Sequence, residues 1–198
     1  MIYLSGSVQP FRHKRLGFII TPNSNYVVPD DVSVAADNGC FSAANIYSDE
    51  RYQKFLRRMP IERTLFATAP DALEDHQATV QRSMPALQWL RAKGFKAAFV
   101  AQDGWTEETT PWDEFDVLFV GGSTEFKYRG GRDAVMAAKR RGKKVHMGRC
   151  NSLEKLRAAI AIGCDTADGT FLKYAPNHNW GRMKRWFDQL DLQPGLAV

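Results

Sequence analysis

The sequence predicts a small α/β protein of the (β/α)8 TIM-barrel type, with one catalytic domain over residues 1–198. Short apolar runs alternate with amphipathic stretches, and this alternation indicates a parallel sheet covered by helices. At 198 residues the chain lies near the lower limit of about 200 residues for such barrels, so some helices must be short or missing. An open doubly wound sheet is the alternative, but no Gly-x-Gly-x-x-Gly follows an early strand to support it.

The predicted strands are short apolar runs spread over the whole chain. They are Ile2–Leu4, Gly17–Thr21, Ser33–Ala36, Thr64–Ala67, Ala97–Ala101, Val117–Val120, Lys144–Gly148 and Asp165–Ala167. The predicted helices between and after them are Cys40–Leu56, Asp75–Lys93, Arg132–Arg141, Ser152–Ile162 and Arg182–Leu190. Asn151 or Ser152 is expected to cap the fourth of these helices.

Composition excludes several classes of protein. No apolar run approaches the roughly 20 residues of a membrane span, and the N-terminus lacks the apolar stretch of a secretory signal, so we expect a cytoplasmic protein without a membrane partner. The three cysteines are widely spaced, which argues against a disulfide scaffold or a structural zinc site. We therefore predict no metal and no cofactor.

Two carboxylates follow strand-length apolar runs at distant places in the chain, Asp37 after Val34–Ala36 and Asp168 after Asp165–Ala167. Because the carboxyl ends of barrel strands form one rim, both side chains are candidates for the same site. Cleavage of a glycosidic bond needs such a pair, one group to attack or stabilise the sugar carbon and one to handle a proton. The alternatives are an Asx turn at Asp37 and a loop cap at Asp168.

Four segments match a known family in order and spacing. They are Ala36-Asp37-Asn38-Gly39-Cys40-Phe41, Val100-Ala101-Gln102-Asp103-Gly104, Phe119-Val120-Gly121-Gly122-Ser123, and His146-Met147-Gly148-Arg149 with the later Gly163-Cys164-Asp165-Thr166-Ala167-Asp168. Over about residues 17–172 the chain resembles the tRNA-guanine transglycosylase superfamily. Within it, the chain is most similar to the short DNA-acting relatives of phages and bacterial genomic islands, the 7-deazaguanine DNA transglycosylase-like branch.

The resemblance implies a role for each matching residue. Asp168 would be the nucleophile and Asp37 its acid/base partner. Gln102 or Asp103 would contact the base, and the backbone of Gly121 and Gly122 would lie along it. The two glycines could instead serve only a tight strand–helix turn.

The chain departs from the family at two places. The tRNA-modifying members carry a Cys/His zinc subdomain after the nucleophile, and its absence from this sequence argues against the standard tRNA substrate. The family also places a guanine-reading carboxylate in the segment that matches Phe66–Asp71. Here the matching position is Ala67, and Asp71, four residues on, is the remaining acid that could contact the base.

Basic residues cluster in two parts of the chain, and their charge suits a phosphate backbone. We expect nucleic-acid contacts from Lys127, Arg129, Arg140, Arg141, Arg149, Trp180 and Arg182. The alternatives are a solvated helix face around Arg140 and Arg141, and a terminal amphipathic helix that packs Trp186 and Leu190 inward.

The expected function is that of a DNA glycosylase, which cleaves the N-glycosidic bond of a modified nucleobase flipped out of DNA and leaves an abasic site. Its setting would be defence against phages whose DNA carries modified bases. The first alternative is a DNA transglycosylase that exchanges guanine for a 7-deazaguanine. The second is a non-catalytic barrel that binds nucleic acid.

Overall fold

Eight parallel strands close into one barrel in chain order in the computed structural model, which describes residues 1–24, 26–40 and 47–192. The strands are β1 (Ile2–Ser5), β2 (Leu16–Ile20), β3 (Val34–Ala36), β4 (Thr64–Thr68), β5 (Ala97–Ala101), β6 (Val117–Val120), β7 (Lys144–Met147) and β8 (Thr166–Gly169). Strand β8 pairs with β1, which closes the ring. The predicted (β/α)8 architecture is therefore confirmed.

Alternation along each strand divides the core into an inner and an outer part, because successive side chains point to opposite faces. The inner cluster contains Leu4, Ile19, Ala35, Phe66, Ala98, Val100, Val117 and Phe119. A larger cluster lies between the outer face of the barrel and the helices, and it includes Tyr3, Phe18, Ala67 and Phe99. Both faces of each strand are thus buried, which explains why the strands appear in the sequence as continuous apolar runs.

The helices follow the strands in the expected order. They are α1 (Asp49–Leu56), α2 (His76–Ala92), α3 (Thr124–Tyr128), α4 (Gly130–Arg140), α5 (Leu153–Ala161) and α6 (Pro176–Leu192), with short 3-10 helices at Ile61–Arg63 and Trp112–Glu114. Ser152 caps α5 as predicted, and its side chain accepts a hydrogen bond from the amide of Lys155. No helix in the described part of the chain is long and apolar enough to cross a membrane.

Three predicted helices lie within two residues of their predicted bounds, two others start more than two residues away from them, and one helix was not predicted. Helix α1 begins only at Asp49, because Ser48 caps it; the predicted helix began at Cys40, and residues 41–46 lie outside the described part of the chain. Helix α3 was not predicted, since it is only five residues long. Helix α6 starts at Pro176 instead of Arg182, and proline suits the first turn of a helix because that position needs no amide donor.

Candidate active site

A cavity of about 630 Å³ opens at the carboxyl ends of the strands. Its volume falls within the range of roughly 300–1,000 Å³ that is typical of small-molecule sites. The residues around it come from most of the strand ends and include Thr21, Asp37, Asn38, Thr68, Asp71, Gln102, Phe119, Gly121, Gly122, Lys127, Gly148, Arg149, Asp168 and Lys173. Most of the residues that the sequence marked as a site therefore surround a single cavity.

The two predicted catalytic carboxylates both line this cavity. Asp37 lies two residues beyond the inward-facing Ala35, and Asp168 lies two residues beyond Thr166, whose hydroxyl meets the His146 ring inside the barrel. The period of two along a strand thus turns both carboxylates into the mouth of the barrel. They reach it from β3 and β8, which are not neighbours in the sheet.

Burial disfavours the ionised form of Asp168, whereas neighbouring groups stabilise it. Burial raises its pKa to about 6; the amide of Arg149, which donates to Oδ1 of Asp168, acts in the opposite direction. The nearby charge of Asp37 raises the same pKa further, while Lys127 lowers it. At neutral pH the group is therefore mostly ionised, as a nucleophile requires.

Asp37 is the second carboxylate of the cavity whose ionised form burial disfavours. Burial raises its pKa, and one backbone hydrogen bond, from the amide of Gly39 to Oδ1 at 2.7 Å, opposes that shift. This bond forms the Asx turn that was the alternative interpretation of Asp37. The turn and the cavity-lining position coexist, since the same side chain does both.

A buried polar cluster forms the wall of the cavity between β3 and β5. Gln102 donates from Nε2 to Oδ2 of Asp71 at 2.6 Å, and Asn38 donates to Oδ1 of Asp71 at 3.1 Å. Asn38 also donates to the carbonyl of Ala69 at 2.8 Å. Asp71 is only 2% exposed, and burial raises its pKa to about 6.

The position of Asp71 corrects the comparison that had assigned the base-reading position to Ala67. Ala67 packs in the outer cluster, so its side chain points away from the cavity. The carboxylate in this part of the cavity comes from Asp71 in the loop after β4. Asp71, the acid that the sequence offered in this segment, therefore lies in the wall of the cavity.

Thr68 and Asn38 line the cavity and were not among the predicted site residues. Thr68 is 2% exposed, and its Oγ1 has no hydrogen-bond partner among the described residues. Such an atom is available to a ligand, because a buried hydroxyl without a partner is costly. The position of Thr68 could have been found from the sequence. Thr68 lies two positions after Phe66 in β4, so the two side chains point inward together.

Gly121 and Gly122 line the cavity after β6, and Asp103 lies beside Gly122. A side chain at Gly121 would lie 2.6 Å from Cγ1 of Val100 and 3.2 Å from Nε2 of Gln102, so only glycine leaves room beside the amide. Asp103 accepts hydrogen bonds from the amide and the hydroxyl of Ser123, at 2.7 and 2.5 Å. Its carboxylate thus fixes the start of α3, and Asp103 is not among the described residues that surround the cavity.

The structure separates the predicted nucleic-acid contacts into different surfaces. Lys127 and Arg149 line the cavity, whereas Arg129 pairs with Glu125 on an exposed face. Arg140 and Arg141 both pair with Glu107, at 2.9 and 2.7 Å. The basic residues that are adjacent in sequence therefore do not form one patch.

On α6 the predicted contacts pack against aromatic rings. Trp180 stacks on Phe11 with ring centroids 4.8 Å apart, and the guanidinium of Arg182 lies 5.3 Å from the ring of Phe171. Leu190 is buried and Trp186 packs against the core, as the amphipathic-helix alternative predicted. These contacts hold α6 on the barrel.

No group of three His, Cys, Asp or Glu side chains that could hold a metal ion occurs in the described ranges of the chain. Asp37, Asp71 and Asp168 therefore surround the cavity as separate groups. The site is one of carboxylates, amides and cations, with hydrogen bonding and charge as its means of binding.

Comparisons with known proteins show similarity only in structure. No model of a protein family matches the chain, and no curated protein matches it. A standalone versatile EAL protein from Vibrio cholerae O395, in its c-di-GMP-bound form, is 14% identical with a TM-score of 0.41 over 70% of this chain and 62% of its own. The Bacillus subtilis YkuI protein, with an EAL domain and in complex with substrate c-di-GMP and calcium, is 14% identical with a TM-score of 0.42 over 82% of this chain and 45% of its own. The chain thus spans less than two thirds of the length of either protein, and likenesses this low carry no argument about activity.

Proposed function

We propose that this chain cleaves the N-glycosidic bond of a modified nucleobase in DNA and leaves an abasic site. The observation that carries the proposal is that Asp37 and Asp168, delivered by different strands, line one cavity together with the hydrogen-bonded pair of Asp71 and Gln102. The first two groups supply the chemistry of bond cleavage, and the second two supply contacts for a base. We propose the cytoplasm as its location.

In this reaction Asp168 acts in its ionised form. It attacks or stabilises C1′ of the sugar as the bond between C1′ and the base nitrogen breaks, and the electron pair of that bond leaves with the base. The ionised form of Asp168 is supported by the amide of Arg149 and by the charge of Lys127. Water then takes the place of the base at C1′.

Asp37 acts as the proton donor to the departing base. Burial raises the pKa of Asp37, so the group holds its proton more tightly than an exposed aspartate. A general acid needs this property, because its pKa should approach the working pH. After the base leaves, the same group as carboxylate can accept a proton from the incoming water.

DNA reaches the cavity as a flipped nucleotide under this proposal, at a cost of a few kcal/mol for unstacking. Two apolar side chains at the mouth offer surfaces that offset this cost: Tyr26 is 42% exposed and Leu73 is 54% exposed. An aromatic ring at such a place can stack on a base of any sequence. The charges of Lys127, Arg149 and Lys173 suit the phosphates nearby.

One specific observation favours the second candidate, exchange of guanine for a 7-deazaguanine. Among the described residues, Asn38 and Gln102 donate two hydrogen bonds to the Asp71 carboxylate, whereas two carboxylate oxygens can accept about four. The remaining capacity suits the adjacent N–H donors of a guanine edge. An incoming base instead of water would then complete the reaction on the same two catalytic carboxylates.

The test is incubation of the protein with a panel of plain and base-modified DNAs, phage DNAs with glycosylated hydroxymethyl pyrimidines among them. Alkali-labile breaks and released bases are scored by mass spectrometry, with and without a labelled 7-deazaguanine. We expect breaks on one modified DNA that disappear with Asp168→Asn, which keeps the size of the side chain and removes its charge. Incorporation of the label without breaks would support exchange.

Two further outcomes limit the proposal. If the breaks persist undiminished in Asp168→Asn, Asp168 is not the nucleophile. A protein that binds DNA but changes no base in the panel, with or without the label, would be the non-catalytic binding barrel. Its phenotype would then be unchanged by Asp168→Asn.

A further inference from the structure

A second cavity, of about 390 Å³, lies beside the first. Its walls come from α3, from the loop after β7 and from α5, and the two cavities share Lys127, Gly148 and Arg149. The other surrounding residues are Thr124, Arg132, Met147, Cys150, Asn151, Lys155, Ala158, Ala159 and Ile162. Nothing in the proposed cleavage reaction uses this second space.

Four positive charges surround this cavity: Lys127, Arg132, Arg149 and Lys155. No Asp or Glu is found among the described residues that line it. None of the ion pairs between described residues includes any of the four cations. Like charges held together without counter-charges repel, so this arrangement is stable only if an anion or solvent compensates it.

Lys127 is the strongest sign of a ligand at this place. Its residue is only 9% exposed, it lines both cavities, and in the described part of the chain its ammonium group has no hydrogen-bond or ion-pair partner. The low exposure of this residue makes a charge without a direct partner costly. Burial and the charge of Arg149 lower the pKa of Lys127, and the nearby charge of Asp168 opposes them in part.

Arg149 connects the cation cluster with the catalytic site. Its amide donates to Asp168, while the residue also lines the second cavity. The backbone of Arg149 has a positive φ of 63°. This conformation is unfavourable for residues other than glycine, and residues strained in this way are typical of functional sites. A molecule whose sugar lies at Asp168 would therefore present its neighbouring groups to the second cavity.

We propose that the second cavity binds the phosphate group attached to the sugar of the target nucleotide. This inference rests on the proposed function, since it takes the sugar to lie at Asp168. Arg132 and Lys155, which line only the second cavity, would hold the phosphate from α4 and α5, and Lys127 and Arg149 would hold it from the side of the catalytic site. Arginine and lysine side chains are the usual partners of phosphate oxygens.

The test measures binding and does not depend on base release. The probe is a labelled single-stranded oligodeoxynucleotide with one abasic analogue, in which the phosphate on the 5′ or the 3′ side of that analogue is either normal or a neutral methylphosphonate. Affinity is measured by fluorescence anisotropy for the wild type, for Arg132→Ala with Lys155→Ala, and for Lys139→Ala with Arg157→Ala. The last variant is a matched control, because it removes one cation from each of the same helices outside the cavity.

We expect one of the two neutral linkages to weaken binding to the wild type by at least about tenfold, the effect of one lost charge-assisted hydrogen bond. The Arg132→Ala and Lys155→Ala variant should bind the normal probe as weakly as the wild type binds the neutral one, and should no longer distinguish the two. The control should still distinguish them. Arg132→Gln with Lys155→Gln repeats the test with side chains that keep more of the volume.

Several results would overturn the proposal: no binding of the probe by the wild type, equal losses in the cavity variant and the control, or an undiminished response of the cavity variant to the neutral linkage. Inorganic phosphate as a competitor separates free phosphate from nucleic-acid phosphate. If it displaces the probe from the wild type and the cavity variant alike, it acts elsewhere and the cavity is not the phosphate site. A protein that passes these tests but releases no base would lose the proposed function and keep the phosphate site.

Discussion

Gln102 donates a hydrogen bond of 2.6 Å to the carboxylate of Asp71, although the two residues follow different strands and are 31 positions apart. Both side chains are buried, and Asn38 from the end of β3 donates to the other oxygen of the same carboxylate. Three strand ends are thus joined through one acid at the wall of the cavity. A ligand would meet hydrogen-bonding groups that are already fixed in place, which lowers the entropic cost of binding.

Asp71→Asn should change how stability depends on pH. The pKa of Asp71 is about 6 in the folded protein, above its ordinary value of 3.8, so folding favours the protonated form. The stabilisation from the protonated form of Asp71 is fully present below about pH 4 and is lost as the pH rises through about 6. Relative to wild type, Asp71→Asn should therefore gain unfolding free energy between about pH 4 and pH 6, on the order of 3 kcal/mol, and show no further change above that.

Urea denaturation of both proteins across this pH range measures the effect. Asp113→Asn, at an exposed carboxylate outside the cavity, is the matched control for the loss of one carboxylate charge. A constant difference for Asp71→Asn would show that Asp71 does not have the raised pKa.

Asp37→Asn should lower the pKa of Asp168. The charge of Asp37 is one cause of the raised pKa of Asp168, and it raises the pKa of Asp71 as well. Without that charge both carboxylic acids ionise more easily, so both carboxyl titrations should move below about pH 6. Carbon-13 NMR of the aspartate side chains follows both titrations directly. The control Asp188→Asn, on α6, should leave both titrations unchanged. If the titration of Asp168 does not move in Asp37→Asn, the two carboxylates do not interact across the cavity.

The rate of base release or exchange should rise with pH as Asp168 ionises and fall at higher pH as Asp37 loses its proton, so the pH profile should be bell-shaped. Asp168 must be ionised to act, and its pKa is about 6, so the rate should fall about tenfold per pH unit below that value. Lys127→Met removes a charge that lowers the pKa of Asp168, so the acidic limb of the profile should move to higher pH. An acidic limb that stays in place in Lys127→Met, or a rate that keeps rising as the pH falls below about 6, would contradict the role of Asp168 as carboxylate.

Gly122→Ala should destabilise the protein more than Gly104→Ala. Both glycines have a positive φ, 71° and 78°, so alanine at either position costs about 1–2 kcal/mol in backbone strain. At Gly104 an added Cβ meets no atom within 4 Å, whereas at Gly122 it would lie 2.5 Å from Oδ2 of Asp103. The same Cβ would lie 2.9 Å from Cδ1 of Phe126. The additional loss in Gly122→Ala therefore reports displacement of the Asp103 carboxylate, which binds Ser123, and of the Phe126 ring, and urea denaturation of the two variants side by side measures it. Equal losses would mean that both groups can move without cost.

The sequence by itself determined the barrel and the two opposed carboxylates. Each strand is buried on both faces, so each produces an apolar run, and two of the predicted strands, Ala97–Ala101 and Val117–Val120, have the bounds found in the structure. The side-chain period of two then fixes which residues point inward at a strand end. Asp37 and Asp168 could be found in this way because each directly continues a strand or lies within one.

Only the tertiary structure decided the roles of residues in loops and on helices. Asp71 lies in a loop without periodicity, and its place in the cavity depends on Asn38 and Gln102, each about 30 residues away in the chain. Asp103 is adjacent to Gln102 but bonds to Ser123 instead, because successive residues point in different directions.

The same reason separates the cations. Arg132 and Arg140 lie on one helix, yet Arg132 faces the second cavity and Arg140 pairs with Glu107, because their positions on the helix surface differ. The charged residues could be counted from the sequence, but the direction in which each charged side chain points could not be predicted. The direction depends on how each helix packs against the barrel, which long-range contacts determine.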